Sequence, residues 1–95
     1  MAYSIVYGNK FLKDAKKMEK RGWDMKELKT AVTYLEKTGT LPEITSKKYR
    51  PHKLTGNYVH HWEAHIKPDW LIIWLLNEDE KTITLVRTGT HADLF

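Results

Sequence analysis

Seven consecutive apolar residues, Trp70-Leu71-Ile72-Ile73-Trp74-Leu75-Leu76, constrain this 95-residue chain more than any other feature. Pro68-Asp69 precedes the run and Asn77-Glu78-Asp79-Glu80 follows it, so turn formers close it at both ends. A segment of this length reads as a strand, and being apolar on both faces it belongs at the centre of a sheet. It is far too short to span a bilayer.

Strands are predicted on either side of it. Residues 58–66 form one. Residues 81–87 form the other, with Ile83 and Leu85 alternating against Thr82 and Thr84. A further short strand covers residues 3–7. Asn9 is expected to cap a helix running to about Lys20, whose apolar positions Phe11, Ala15 and Met18 share a face. Gly22 breaks this helix. Asp24 starts a second, with Glu27 at the capping-box position and Met25, Leu28, Val32 and Leu35 as its stripe. Gly39 ends it and Pro42 prevents continuation. Residues 40–56 read as a loop and residues 88–95 as a tail.

The order is β-α-α-β-β-β. This predicts a single α+β domain over residues 1–95, with a two-helix hairpin packed on one face of a mostly antiparallel sheet. No element is left to cover the other face, which is therefore the expected place for a substrate.

Composition removes several kinds of chemistry. The chain has no cysteine, which excludes disulfides, cysteine-based zinc sites and thiol catalysis. The N-terminal segment alternates polar and apolar residues and does not resemble a signal peptide, so a cytoplasmic protein without membrane contact is expected. The formal net charge of +4 is compatible with a polyanionic partner. Lys10, Lys13, Lys16, Lys17 and Lys20 form either a solvated helix face or a docking surface for RNA phosphates or an acidic partner. A second basic patch, Lys47, Lys48, Arg50 and Lys53, lies on the loop and is a candidate for RNA binding.

RNA cleavage suits such a chain because the substrate carries its own nucleophile. The 2′-hydroxyl attacks phosphorus; one group must take its proton and another must protonate the leaving 5′-oxygen. Histidine titrates near neutrality and suits both tasks, while a carboxylate also serves as base. Arginine matches the phosphate oxygens and stays charged. The required residue types fall in three segments: His52 with Lys53 to Gly56, His65 with Asp69 and Trp70, and Arg87 with His91. Antiparallel pairing brings the 65–69 turn, Arg87 and His91 to one end of the sheet, with His52 arriving from the loop. His60 and His61 are adjacent on a strand and point to opposite faces, so they do not form a joint metal site. No metal or cofactor is expected. His61 shares a face with His65.

Three motifs resemble those of the YafQ-type toxins, a branch of the RelE superfamily of bacterial toxin–antitoxin systems. They are His-x-Leu-x-Gly at His52 to Gly56, Ala-His-Ile-x-Pro-Asp-Trp at Ala64 to Trp70, and Arg-Thr-Gly-Thr-His-Ala-x-Leu-Phe at Arg87 to Phe95. The last is the most specific, and the likeness covers nearly the whole chain. The resemblance implies a metal-independent mRNA endoribonuclease acting on the translating ribosome. Its implied catalytic residues are His52, His65, Asp69, Arg87 and His91. His91 is the implied general acid and Arg87 the charge stabiliser. His65 or Asp69 is base or orienting group, and His52 acts in catalysis or on a phosphate. Trp70 and Phe95 are each either a base-stacking platform or a packing residue.

The implied partners are a cognate antitoxin, mRNA on the ribosome with contacts to 16S rRNA, and operator DNA through the antitoxin complex alone. Relatives carry Tyr-Arg where this chain has His61-Trp62, which removes one basic contact. Two alternatives accompany this reading: a toxin of the same fold that inhibits DNA gyrase, and an inactive relative that binds antitoxin.

Overall fold

A computed structural model describes residues 2–41, 49–56 and 60–95. The elements in chain order are β1 (Ser4–Tyr7), α1 (Asn9–Lys20), α2 (Met25–Thr38), β2 (His52–Lys53), β3 (His61–Lys67), β4 (Trp70–Asn77), β5 (Thr82–Gly89) and α3 (His91–Leu94). The five strands form one sheet in the order β1-β5-β4-β3-β2. β1 runs parallel to β5 and every other pair is antiparallel. The apolar run is thus the middle strand, as its two-faced hydrophobicity requires. Its first five residues, Trp70 to Trp74, are all buried.

Helices α1 and α2 cover one face. α1 lies against β5 and α2 against β3. Phe11 and Met18 of α1 join Leu28, Ala31 and Leu35 of α2 over Ala64, Ile66, Ile72, Trp74, Ile83 and Leu85. Trp62, Trp70 and Trp74 belong to the same layer. Trp62 stacks on Trp74 with ring centres 6.3 Å apart and planes 11° from parallel, while Trp70 meets Trp23 edge-on. α2 begins and ends where its sequence predicts. The Asp24 carboxylate accepts from the Lys26 amide, and Gly39 takes the left-handed conformation at φ 81°. Glu27 approaches Lys67 at 3.8 Å.

Four sequence expectations are revised. Asn9 does not cap α1; Gly8 does, and without a side-chain bond. The Gly8 amide is still bonded to the Leu85 carbonyl of β5, and a Cβ on Gly8 would stand 2.7 Å from that oxygen. Only glycine fits where the chain leaves the sheet this closely. The expected loop 40–56 contains strand β2, which pairs with β3. The expected strand at residues 58–66 begins at His61 and ends at Lys67; residues 57–59 lie outside the described residues. The expected tail is the end of β5 followed by the single-turn α3.

The second face of the sheet is also not bare. Leu71 and Ile73 point to it and are buried by Leu94 of α3, with Leu54 and Val86 at the margin. Burying an aliphatic side chain of this size stabilises by about 1.5–3 kcal/mol, which draws the C-terminal turn back over the sheet. The candidate site residues therefore surround a small apolar cap rather than lie on an open floor. Among the described residues, no helix is long and apolar enough to cross a membrane.

Candidate active site

Strand register sets the site. His52 of β2 faces Glu63 of β3, Glu63 faces Ile73 of β4, and Ile73 faces Arg87 of β5, so these four positions form one row across the sheet. A second row runs from His65 through Leu71 to Gly89. The rows are two residues apart on β3, and the pleat therefore puts Glu63 and His65 on the same face. His91 follows Gly89 by two residues.

His91 is held by Asp69. One Asp69 oxygen, Oδ1, accepts from the His91 backbone amide at 3.0 Å and from His91 Nδ1 at 2.8 Å. These two bonds, the backbone one first, hold the Asp69 carboxyl below its ordinary pKa. An ionised carboxylate can only accept, so Nδ1 carries the shared proton and Nε2 is the nitrogen left for chemistry.

Three contacts brace the turn that carries His91. Thr90 and Asp93 form a reciprocal capping box, with each side chain bonded to the other's backbone amide. Arg21, the residue capping the C-terminus of α1, forks onto Asp93 at 2.7 and 3.1 Å and pulls its pKa far below the ordinary value. Leu94 packs into the apolar cap. A lone helical turn has too few internal bonds to persist, so these contacts decide its position.

The His65 ring lies 5.9 Å from the His91 ring, centre to centre. Burial lowers the His65 pKa and is the largest effect; nearby Glu63 opposes it, and His91, His52 and Arg50 add to it. The buried Nδ1 atom of His65 has no hydrogen-bond partner among the described residues. His52 Nε2 approaches the Glu63 carboxylate at 3.0 Å, and the Glu63 side chain is only 8% exposed.

Asp69 pairs with His91. His52, His65, Asp69 and His91 are brought together. Arg87 stands in the His52 row, but its guanidinium is turned onto Asp14 of α1. Trp70 is 0% exposed and therefore unavailable to a nucleobase here. Its indole N–H donates to the Thr88 hydroxyl at 2.9 Å, and that hydroxyl donates to the Leu71 carbonyl at 2.7 Å. Phe95 is 68% exposed beside α3. Arg50 and Lys53 are exposed, and the Lys53 ammonium lies 5.6 Å from the Trp62 ring centre. Lys47 and Lys48 lie outside the described residues. His61 shares the face of His65, as its spacing predicts.

Glu63, Asp14 and the Thr90–Asp93 pair were not singled out from the sequence. Glu63 precedes His65 by two on a strand, and Thr90-x-x-Asp93 has capping-box spacing, so both left a signal. Among the described residues, no group of three or more His, Asp or Glu side chains is arranged to hold a metal ion.

The family model describing the YafQ bacterial toxin of type II toxin–antitoxin systems matches residues 3–95. The mRNA interferase toxin YafQ of Escherichia coli K12 is 39% identical over 92 residues, 96% of this chain and 94% of that protein. A metal-bound toxin from Helicobacter pylori superposes with a TM-score of 0.85 at 36% identity, over 98% of this chain and 99% of that one. YafQ in the E. coli DinJ–YafQ complex gives 0.82 at 38% identity, over 98% of both chains. With a match across nearly its whole length, the chain belongs to the YafQ family of bacterial toxins of type II toxin–antitoxin systems.

Proposed function

We propose that this toxin is a ribosome-dependent mRNA endoribonuclease that cleaves by general acid–base catalysis without a metal ion. The carrying observation is the pair of imidazoles 5.9 Å apart, one oriented by an ionised carboxylate and the other kept neutral by burial. Each histidine needs to approach its proton donor or acceptor to about 3 Å, and rings at this spacing can serve the two oxygens of one phosphodiester. His65, neutral at pH 7, accepts the 2′-hydroxyl proton. His91, held through Nδ1 by Asp69, gives a proton from Nε2 to the leaving 5′-oxygen. Glu63 holds His52 at the edge of the site, where His52 contacts a phosphate. Arg87 offsets the charge that builds on phosphorus. Phe95, Arg50 and Lys53 bind the RNA strand.

The name of the E. coli relative as an mRNA interferase supports this substrate. The DinJ–YafQ complex of E. coli supports a protein antitoxin as a partner; binding to operator DNA through a toxin–antitoxin complex is part of the proposal. Action on the ribosome implies the cytoplasm.

Induced expression in bacteria tests the reading. The wild type arrests growth and primer extension on cellular mRNA finds new 5′ ends, whereas His91→Ala gives neither. Arrest without new ends would point to a non-nuclease toxin such as a gyrase inhibitor. Equal arrest by both proteins would remove His91 from the mechanism. Cleavage by purified toxin on ribosomes should persist in excess EDTA.

A further inference from the structure

We infer that Asp14 is a positioning residue that aims the Arg87 guanidinium. The inference rests on the proposed role of Arg87 in RNA cleavage.

Asp14 occupies an unusual place. It lies on α1 between Phe11 and Met18, three residues after one buried side chain and four before the other, and so on the stripe that faces the sheet. Its side chain is only 12% exposed. A carboxylate pays for such a position only if it is fully engaged. Asp14 is: Oδ2 accepts from Arg87 Nε at 2.6 Å and from the Thr88 backbone amide at 3.2 Å, and Oδ1 accepts from Arg87 Nη2 at 3.2 Å.

The geometry has a chemical consequence. Arg87 sits where the β4–β5 register shifts: it is the partner of Ile73, Leu85 is the partner of Trp74, and Val86 is the extra residue between them. A bulge re-aims side chains, and a long arginine at a bulge does not choose one rotamer unaided. Asp14 occupies the Nε–Nη2 edge. A forked contact to a phosphate is thereby confined to the Nη1–Nη2 edge, at a fixed angle to the sheet. Partly buried ion pairs contribute little net stability, so placement is the effect such a pair is suited to supply.

The experiment combines ¹⁵N NMR of the arginine side chain with single-turnover cleavage on ribosomes. Wild type, Asp14→Asn, Arg87→Gln and the double variant are compared. Asparagine keeps the shape and one acceptor but not the charge. The Arg87 Nε–H should exchange slowly with solvent in the wild type and at least tenfold faster in Asp14→Asn. The maximal cleavage rate of Asp14→Asn should fall about 10- to 100-fold, as expected for a misplaced group. The ribosome concentration giving half-maximal rate should move by less than about threefold. In the Arg87→Gln background, Asp14→Asn should cost nothing further, since its effect runs through the arginine.

Equal loss in both backgrounds would assign Asp14 to folding alone and overturn the inference. Unchanged Nε–H exchange in Asp14→Asn would overturn it as well. Absence of cleavage by the wild type would refute the nuclease reading instead, with the NMR result still reporting whether Asp14 holds Arg87.

Discussion

Replacing Thr88 by valine tests whether a buried hydrogen-bond chain, rather than packing, holds the end of β5. The Thr88 hydroxyl accepts from the Trp70 indole N–H at 2.9 Å and donates to the Leu71 carbonyl at 2.7 Å, and both side chains are fully buried. Valine has nearly the same shape and suits a strand, so no cavity forms. The variant loses two bonds worth about 1 kcal/mol each and strands a buried indole donor at about 1–3 kcal/mol. Removing the buried hydroxyl itself returns about 1–2 kcal/mol. The net expectation is a loss of about 2 kcal/mol. For a domain of this size that lowers Tm by roughly 8–16 °C. Urea unfolding should show a lower midpoint with an unchanged slope. Thr88→Ser is the control: it keeps the hydroxyl, loses a methyl group and should cost about 1 kcal/mol. If serine destabilises more than valine, packing dominates at this site and the reasoning is wrong.

Two further outcomes follow from the same geometry. Burial lowers the His65 pKa, so the unfolded chain binds this proton more readily than the folded one. The stability contributed by the neutral ring is complete above the ordinary value of 6.5 and is lost as pH falls through the window beneath it. His65→Gln should therefore flatten the pH dependence of the urea midpoint below that value, and parallel profiles would refute the assignment. Gly89 adopts φ 155°, and a Cβ there would lie 3.1 Å from Cβ and Oδ2 of Asp93. Gly89→Ala should cost about 1–3 kcal/mol and reduce cleavage beyond the loss of folded protein, because the displaced Asp93 caps the turn that carries His91. An alanine variant of wild-type stability and activity would show that the backbone tolerates the change.

Six of the eight elements among the described residues, and their order, were legible in the sequence because they follow from local periodicity; β2 and α3, read as loop and tail, were not. The apolar run at residues 70–76 had to be a central strand. Asp24 and Gly39 marked the ends of α2, and the Arg87–Phe95 motif marked the family. Which side chains meet was not legible, because that depends on pairing across the sheet. The return of β5 and the fold-back of α3 gave Asp69 to His91, 22 positions on in the chain. Arg87 was recognised as a residue type, but its orientation depends on α1 running beside β5 and bringing Asp14 to it from 73 positions away in the chain. Trp70 looked equally able to face RNA or core; the Thr88 hydroxyl and Trp23 fixed it inside. Periodicity assigns a residue to a face of its own element. Only the packing of elements against one another decides its neighbours, and the proposed chemistry depends on those neighbours.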